Sequence, residues 1–141
     1  MRILGVPVSV DISFFMIALL LGATRLSQPL LLLQWVVVVF VAVLVHEFGH
    51  AIAGRAFGLA PKIQLYGMGG LTSWTEGRRL SPLRSIVISL AGPLAGFALL
   101  AAWIAASLVV PALAEPRFAL LTRDIWVVTL VWGVLNLLPI L

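Results

Sequence analysis

Residues 46–50 read His46-Glu47-Phe48-Gly49-His50, an H-E-x-x-H pattern. On a helix, residues four apart share a face, so the two imidazoles can grip one metal ion. Glu47, one position along, can reach water at that ion. Zinc brings the pKa of such water down toward ~7, and a carboxylate can then take its proton. Attack on a peptide carbonyl, with the proton passed from Glu47 to the leaving amine, would complete a hydrolysis. The 141 residues include no cysteine, which excludes thiolate sites and disulfides. A transition metal here has to be held by His, Asp or Glu.

The same pattern could arise by chance on a soluble helix. Composition argues against that: 62% of the residues are hydrophobic and 10% are charged, against about 25% charged in an ordinary soluble domain. Leu30 to Val45 offers one polar side chain, Gln34. Two histidines and a glutamate inside such a span are costly and mark a working site. If Arg55 ends the span, His50 and His46 lie about 8–14 Å inside its boundary. Water has to reach that depth, so the helices must enclose a polar cavity.

Four apolar segments could build this enclosure: Ile12 to Leu26, Leu30 to Phe57 opened by Pro29, Pro82 to Val110, and Asp124 to Leu141. A span needs roughly 20 apolar residues; the second and third meet this easily, the first and fourth marginally. Ser81 is a candidate N-cap with Pro82 at the first helical position. Val6, Val8 and Val10 alternate with Pro7 and Ser9, a brief extended piece. Arg2 is a thin n-region and no small-x-small cleavage site follows, so the first segment reads as a retained span rather than a cleaved signal. Leu59 to Gly77 reads as strand, turn, strand, with Ile63 and Leu65 alternating with Gln64 and Tyr66 before a run of glycines. This hairpin has to lie against protein or a wet cavity; a plain cytoplasmic loop is the alternative. The expected fold is an all-α membrane protein of about four transmembrane helices, with a small re-entrant β-hairpin between spans two and three. Residues 1–141 form a single domain without repeats.

The net charge of +4 fits topology better than nucleic-acid binding, because no basic run is interleaved with aromatics. Arg2, Arg55, Lys62, Arg78, Arg79 and Arg84 fall on one side, and Arg25, Arg117 and Arg123 on the other. That bias places the N-terminus and the hairpin in the cytoplasm of an integral membrane protein, expected in a prokaryotic cell membrane.

Four short motifs occur in order: His46 to His50, Gly67-Met68-Gly69-Gly70-Leu71-Thr72, Ala91-Gly92-Pro93-Leu94-Ala95-Gly96, and Asn136-Leu137-Leu138-Pro139. Together they resemble the site-2 protease family of intramembrane zinc metalloproteases. The resemblance covers most of the chain from Val41 onward. It implies zinc held by His46 and His50, Glu47 as general base, and a membrane-spanning protein as substrate. It further implies a third ligand, an aspartate in an N-x-x-P-x-x-x-D-G motif. Asn136 and Pro139 match, and the aspartate would fall beyond Leu141, so the core is expected to stop short of it. Asp124, 12 residues before Asn136, is no substitute by motif. The loop from Gly58 to Leu80 is too short for a PDZ domain, and Gly5-Val6-Pro7-Val8 resembles the class with a C-terminal CBS regulatory domain, which would lie outside this chain.

Asn136 reads either as interhelical glue or, by resemblance, as a group holding a substrate carbonyl or oxyanion. Gly69, Gly70 and Leu71 are candidate substrate contacts, since a scissile peptide has to be held extended and Ile63 to Trp74 could dock it as an added strand. Proline at Leu65 or Leu71 would break that edge. Gly92 and Gly96, and Gly54 and Gly58, read as close helix packing. Pro93 should kink its helix, the five tryptophans read as interface or packing residues, and Tyr66 is a minor candidate for the site. Two rivals remain: a membrane metal-binding or transport protein, and an inactive fragment that binds transmembrane segments. Transport would need polar residues on both sides of the site; retention of Glu47 speaks against loss of catalysis.

Overall fold

The computed structural model describes residues 1–75 and 80–137. Strands β1 (Arg2–Ile3) and β2 (Val6–Val10) lead into helices α1 (Ile12–Leu21) and α2 (Pro29–Ala56). Strands β3 (Pro61–Tyr66) and β4 (Gly69–Trp74) follow, then α3 (Pro82–Val109) and α4 (Ala119–Leu137). Gly77, Arg78, Arg79, Leu138, Pro139 and Leu141, which entered the readings above, lie outside the described residues.

Local chemistry explains the element ends. Pro29 and Pro82 occupy first-turn positions, where a missing N–H costs nothing. Ser81 is the N-cap residue of α3, but its side chain makes no capping hydrogen bond. Asp11 does cap α1, accepting from the Ser13 backbone N–H at 2.8 Å and the Ser13 hydroxyl at 2.5 Å. These bonds, the hydroxyl's first, hold its carboxyl below the usual range. At the end of α2, Gly58 takes φ +82°. The Leu59 N–H bonds the Gly54 carbonyl at 3.0 Å and the Gly58 N–H bonds that of Arg55 at 2.9 Å. This crossed pair satisfies the last carbonyls and turns the chain toward β3.

Among the described residues, three helical stretches are long and apolar enough to cross a membrane: α2, α3 and Pro116–Leu137. Helix α1 has 10 residues, about 15 Å of helix, or roughly half the hydrocarbon thickness. The expected four spans thus become three long helices and one shorter apolar one. Helix α4 starts at Ala119 rather than Asp124, which puts that carboxylate inside it.

The hairpin β3–β4 forms as expected, with Ile63 opposite Thr72 and Tyr66 opposite Gly69. It belongs to a larger sheet of order β1-β2-β3-β4. Strand β2 runs parallel to β3, with Val8 beside Ile63 and Val10 beside Leu65. The β1–β2 turn uses positive φ at both Leu4 and Gly5, as a tight hairpin of right-handed twist requires. Arg55 Nη1 donates to the Leu4 carbonyl at 2.8 Å and ties this turn to the end of α2. Val6, Val8, Ile63 and Leu65 turn inward and pack with Phe14, Val39, Val43 and Val128 in one core. Leu65, itself fully buried, therefore lies on an inner strand, and proline there would damage the core rather than probe an edge. Among the described residues, β4 is the hairpin strand without a second neighbour.

Of the glycines read as close helix packing, Gly92 does bring α3 against α2, while Gly54 makes room for the sheet. A Cβ on Gly54 would strike the Trp74 ring and one on Gly92 would strike the His50 ring, while one on Gly96 meets nothing within 4 Å. Gly58 serves the turn rather than a helix interface.

A polar cluster joins the α1–α2 connection to α4. Arg25 donates to both Asp124 oxygens at 2.6 and 2.5 Å, and Gln34 Nε2 adds a third bond at 3.1 Å. Asp124 is 1% exposed, and the Arg25 guanidinium also lies 5.1 Å from the centre of the Trp35 ring. The Asp124 hydrogen bonds push the Arg25 pKa above its ordinary value. Asp124→Ala would leave that guanidinium without its acceptor. We expect a loss of about 3 kcal/mol in unfolding free energy of the detergent-solubilised protein. Glu115→Ala, which removes an exposed pair with Arg117, should change it by less than about 0.5 kcal/mol.

Candidate active site

Helix α2 presents His46 and Glu47 buried, at 1% and 4% exposure. The i, i+4 spacing brings His46 Nε2 within 3.1 Å of His50 Nε2, with the two rings edge to face, centroids 4.8 Å apart. The other ring nitrogen of His50, Nδ1, lies 2.7 Å from the Ile88 carbonyl of α3. A carbonyl only accepts, so Nδ1 carries the proton and donates. In the neutral ring Nε2 then keeps its lone pair, directed at His46. Two ligands of one tetrahedral zinc ion, each at about 2.0–2.1 Å, lie about 3.3 Å apart. The pair therefore has the separation, and His50 the tautomer, that a two-histidine grip would need. Among the described residues no third His, Cys, Asp or Glu joins them. Asp124 is engaged with Arg25 and Gln34 instead; Gln34 lies about 18 Å along α2 from His46.

Glu47 is held from the sheet. Thr72 Oγ1 is 2.7 Å from Glu47 Oε2 and 3.1 Å from the Glu47 backbone carbonyl. Gly70, two residues earlier on β4, has no Cβ, and the Glu47 carboxyl occupies the space a Cβ would take. Gly92 of α3 plays the same part for His50, and Gly49 of α2 lies against the Ala91 carbonyl. Strand β4 and helix α3 thus reach the motif from two sides, each through a glycine.

These elements surround a cavity of about 340 Å³ lined by Glu47, His50, Gly70, Leu71, Thr72 and Asn136, among others. It brings together the carboxylate, one imidazole, the β4 edge and the end of α4. Asn136 Nδ2 donates to the Trp132 carbonyl at 2.8 Å, which leaves its second N–H and its oxygen available. Gly69 sits elsewhere: a Cβ there would strike Trp132, and it lines a small apolar pocket with Phe14 and Tyr66. Tyr66 likewise stands apart from the cavity. Sequence reasoning missed Thr72 as the partner of Glu47 and Ile88 as the partner of His50. The first lies 25 residues away and the second 38; the T in the glycine-rich stretch was the only available signal for either.

No protein-family model matches the chain. A protein named zinc metalloprotease from Methanocaldococcus jannaschii is 28% identical over 98 residues, which cover 68% of this chain and 28% of that relative. The solved site-2 protease of the same organism superposes with a TM-score of 0.71 over 99% of this chain, at 22% identity. The chain spans 63% of that structure. The chain therefore shares the fold of that site-2 protease and is similar in sequence to that metalloprotease over part of the relative's length.

Proposed function

We propose that this chain is the core of a zinc-dependent intramembrane endopeptidase, hydrolysing peptide bonds within or beside transmembrane segments of other proteins. The observation that supports it most is the convergence of three things on one cavity: the His50 imidazole, whose Nε2 lies 3.1 Å from that of His46, a buried carboxylate and a strand edge. His46 and His50 would hold zinc, with a third protein ligand from outside the described residues. Zinc, when bound, polarises a carbonyl and makes water nucleophilic near neutral pH.

The chain's own residues do the rest. The Ile88 carbonyl keeps the His50 ring oriented. Glu47 takes the proton of the attacking water and delivers it to the leaving amine. The second N–H of Asn136 would hold a substrate carbonyl as charge develops on it. Helical backbone offers a substrate no free donors, so the substrate unwinds locally and adds to β4 as a strand. The cavity lies where that strand meets Glu47. The sheet end of the molecule would face the cytoplasm, by the arginine and lysine bias.

In the full-length protein, Glu47→Gln should abolish cleavage of a transmembrane substrate and keep the bound metal; wild-type turnover would end this reading. Gly92→Ala puts a methyl group onto the His50 ring and should lower bound zinc measured by elemental analysis. Gly96→Ala, with open space around it, should leave zinc content unchanged. Leu71→Pro removes the backbone donor that faces Gln64 across the β3–β4 pair and so weakens β4 from its inner side. Cleavage should fall at least about 10-fold, since misplaced reacting groups cost that much or more. Zinc content should survive, and undiminished cleavage would remove β4 from substrate docking.

A further inference from the structure

We infer that Thr72 is a positioning residue for Glu47, tying the carboxylate of the base to the strand along which an extended substrate would lie. The inference deepens the peptidase reading above and rests on it. Thr72 Oγ1 lies within reach of two acceptors on the same residue, the carboxylate oxygen at 2.7 Å and the backbone carbonyl at 3.1 Å. A hydroxyl has one proton to give. The shorter contact is to the charged acceptor, which also makes the stronger bond. Among the described residues it is the only side chain bonded to that carboxylate, which is 4% exposed and has little water to replace it.

The placement of Thr72 adds the second half of the argument. Gly70 and Thr72 are two apart, so they share one face of β4. Both meet Glu47, Gly70 through the space of its missing Cβ and Thr72 through its hydroxyl. The strand that carries them is an edge strand and lines the cavity. A shift of β4 by a few tenths of an ångström on taking a partner strand is therefore felt at the carboxylate. Threonine suits the role because its branched Cβ stiffens the side chain. The hydroxyl grips one oxygen and leaves the other to accept the proton of water.

The test uses the full-length protein with a transmembrane substrate. Thr72→Val keeps the shape and the strand preference and removes the hydroxyl. We expect kcat to fall about 10- to 100-fold, with KM and zinc content unchanged, and Thr72→Ser to recover most of the rate. Wild-type kcat in Thr72→Val, a Thr72→Ser loss as large as that of Thr72→Val, or a loss confined to KM would each overturn the inference. A thermal-unfolding cycle of Thr72→Val with Glu47→Ala tests the bond without cleavage: the shifts should be non-additive, and additive shifts would overturn it as well. Full turnover by Glu47→Gln would instead overturn the peptidase reading, and this inference with it, whatever Thr72→Val does.

Discussion

A helix of bilayer length that carries two imidazoles and a carboxylate must find them partners inside the protein, because hydrocarbon supplies none. Much of the architecture can be traced to that demand on α2. His50 finds the Ile88 carbonyl and so draws α3 alongside. Glu47 finds Thr72 and so draws the sheet into the helical layer. Gln34, at the other end of α2, finds Asp124, which Arg25 neutralises. Gln34, Glu47 and His50 thereby each mark where another element docks. Between the two polar ends the helix packs through Val38, Val39, Ala42 and Val43, which carry no orientation preference of their own.

Docking that close needs backbone, not side chains, at the contacts. Gly70 and Gly92 are the points where β4 and α3 come nearest to the reactive groups. Any side chain there would push the strand or the helix outward and lengthen the bonds that Thr72 and Ile88 make. The outward faces of α2 and α3 remain apolar, with Leu33, Val37, Val41, Leu83, Ile86 and Leu94 exposed. That suits a lipid surround and leaves the polar chemistry facing inward.

The parts legible in the sequence were those set by local pattern. Residue spacing alone puts His46 and His50 together; Pro29 and Pro82 open their helices; the alternation of Ile63 and Leu65 with Gln64 marks β3. The parts that escaped depend on pairing at long range. Arg25 and Asp124 lie 99 residues apart, and neither stands in a pattern that names its partner. The first valine-rich piece was legible as extended but not as a parallel neighbour of β3, since period-two alternation says nothing about which strand lies alongside. Glycines spaced four apart on a helix look alike whether they admit another helix, as Gly92 admits α2 through the His50 ring, or a strand, as Gly54 admits Trp74 of β4.

The parallel pairing of β2 with β3 has a consequence for how the molecule is made. The two strands that pair flank α1 and α2 in the chain, so about 50 residues, including a whole membrane span, separate Val8 from Ile63. During synthesis β2 emerges long before its neighbour exists and has to wait, edge exposed, until both helices have been delivered into the bilayer. The hairpin β3–β4, by contrast, can close on itself as soon as it is made. Completion of the sheet is therefore a late event, because β2 can pair only after α1, α2 and β3 have all been made.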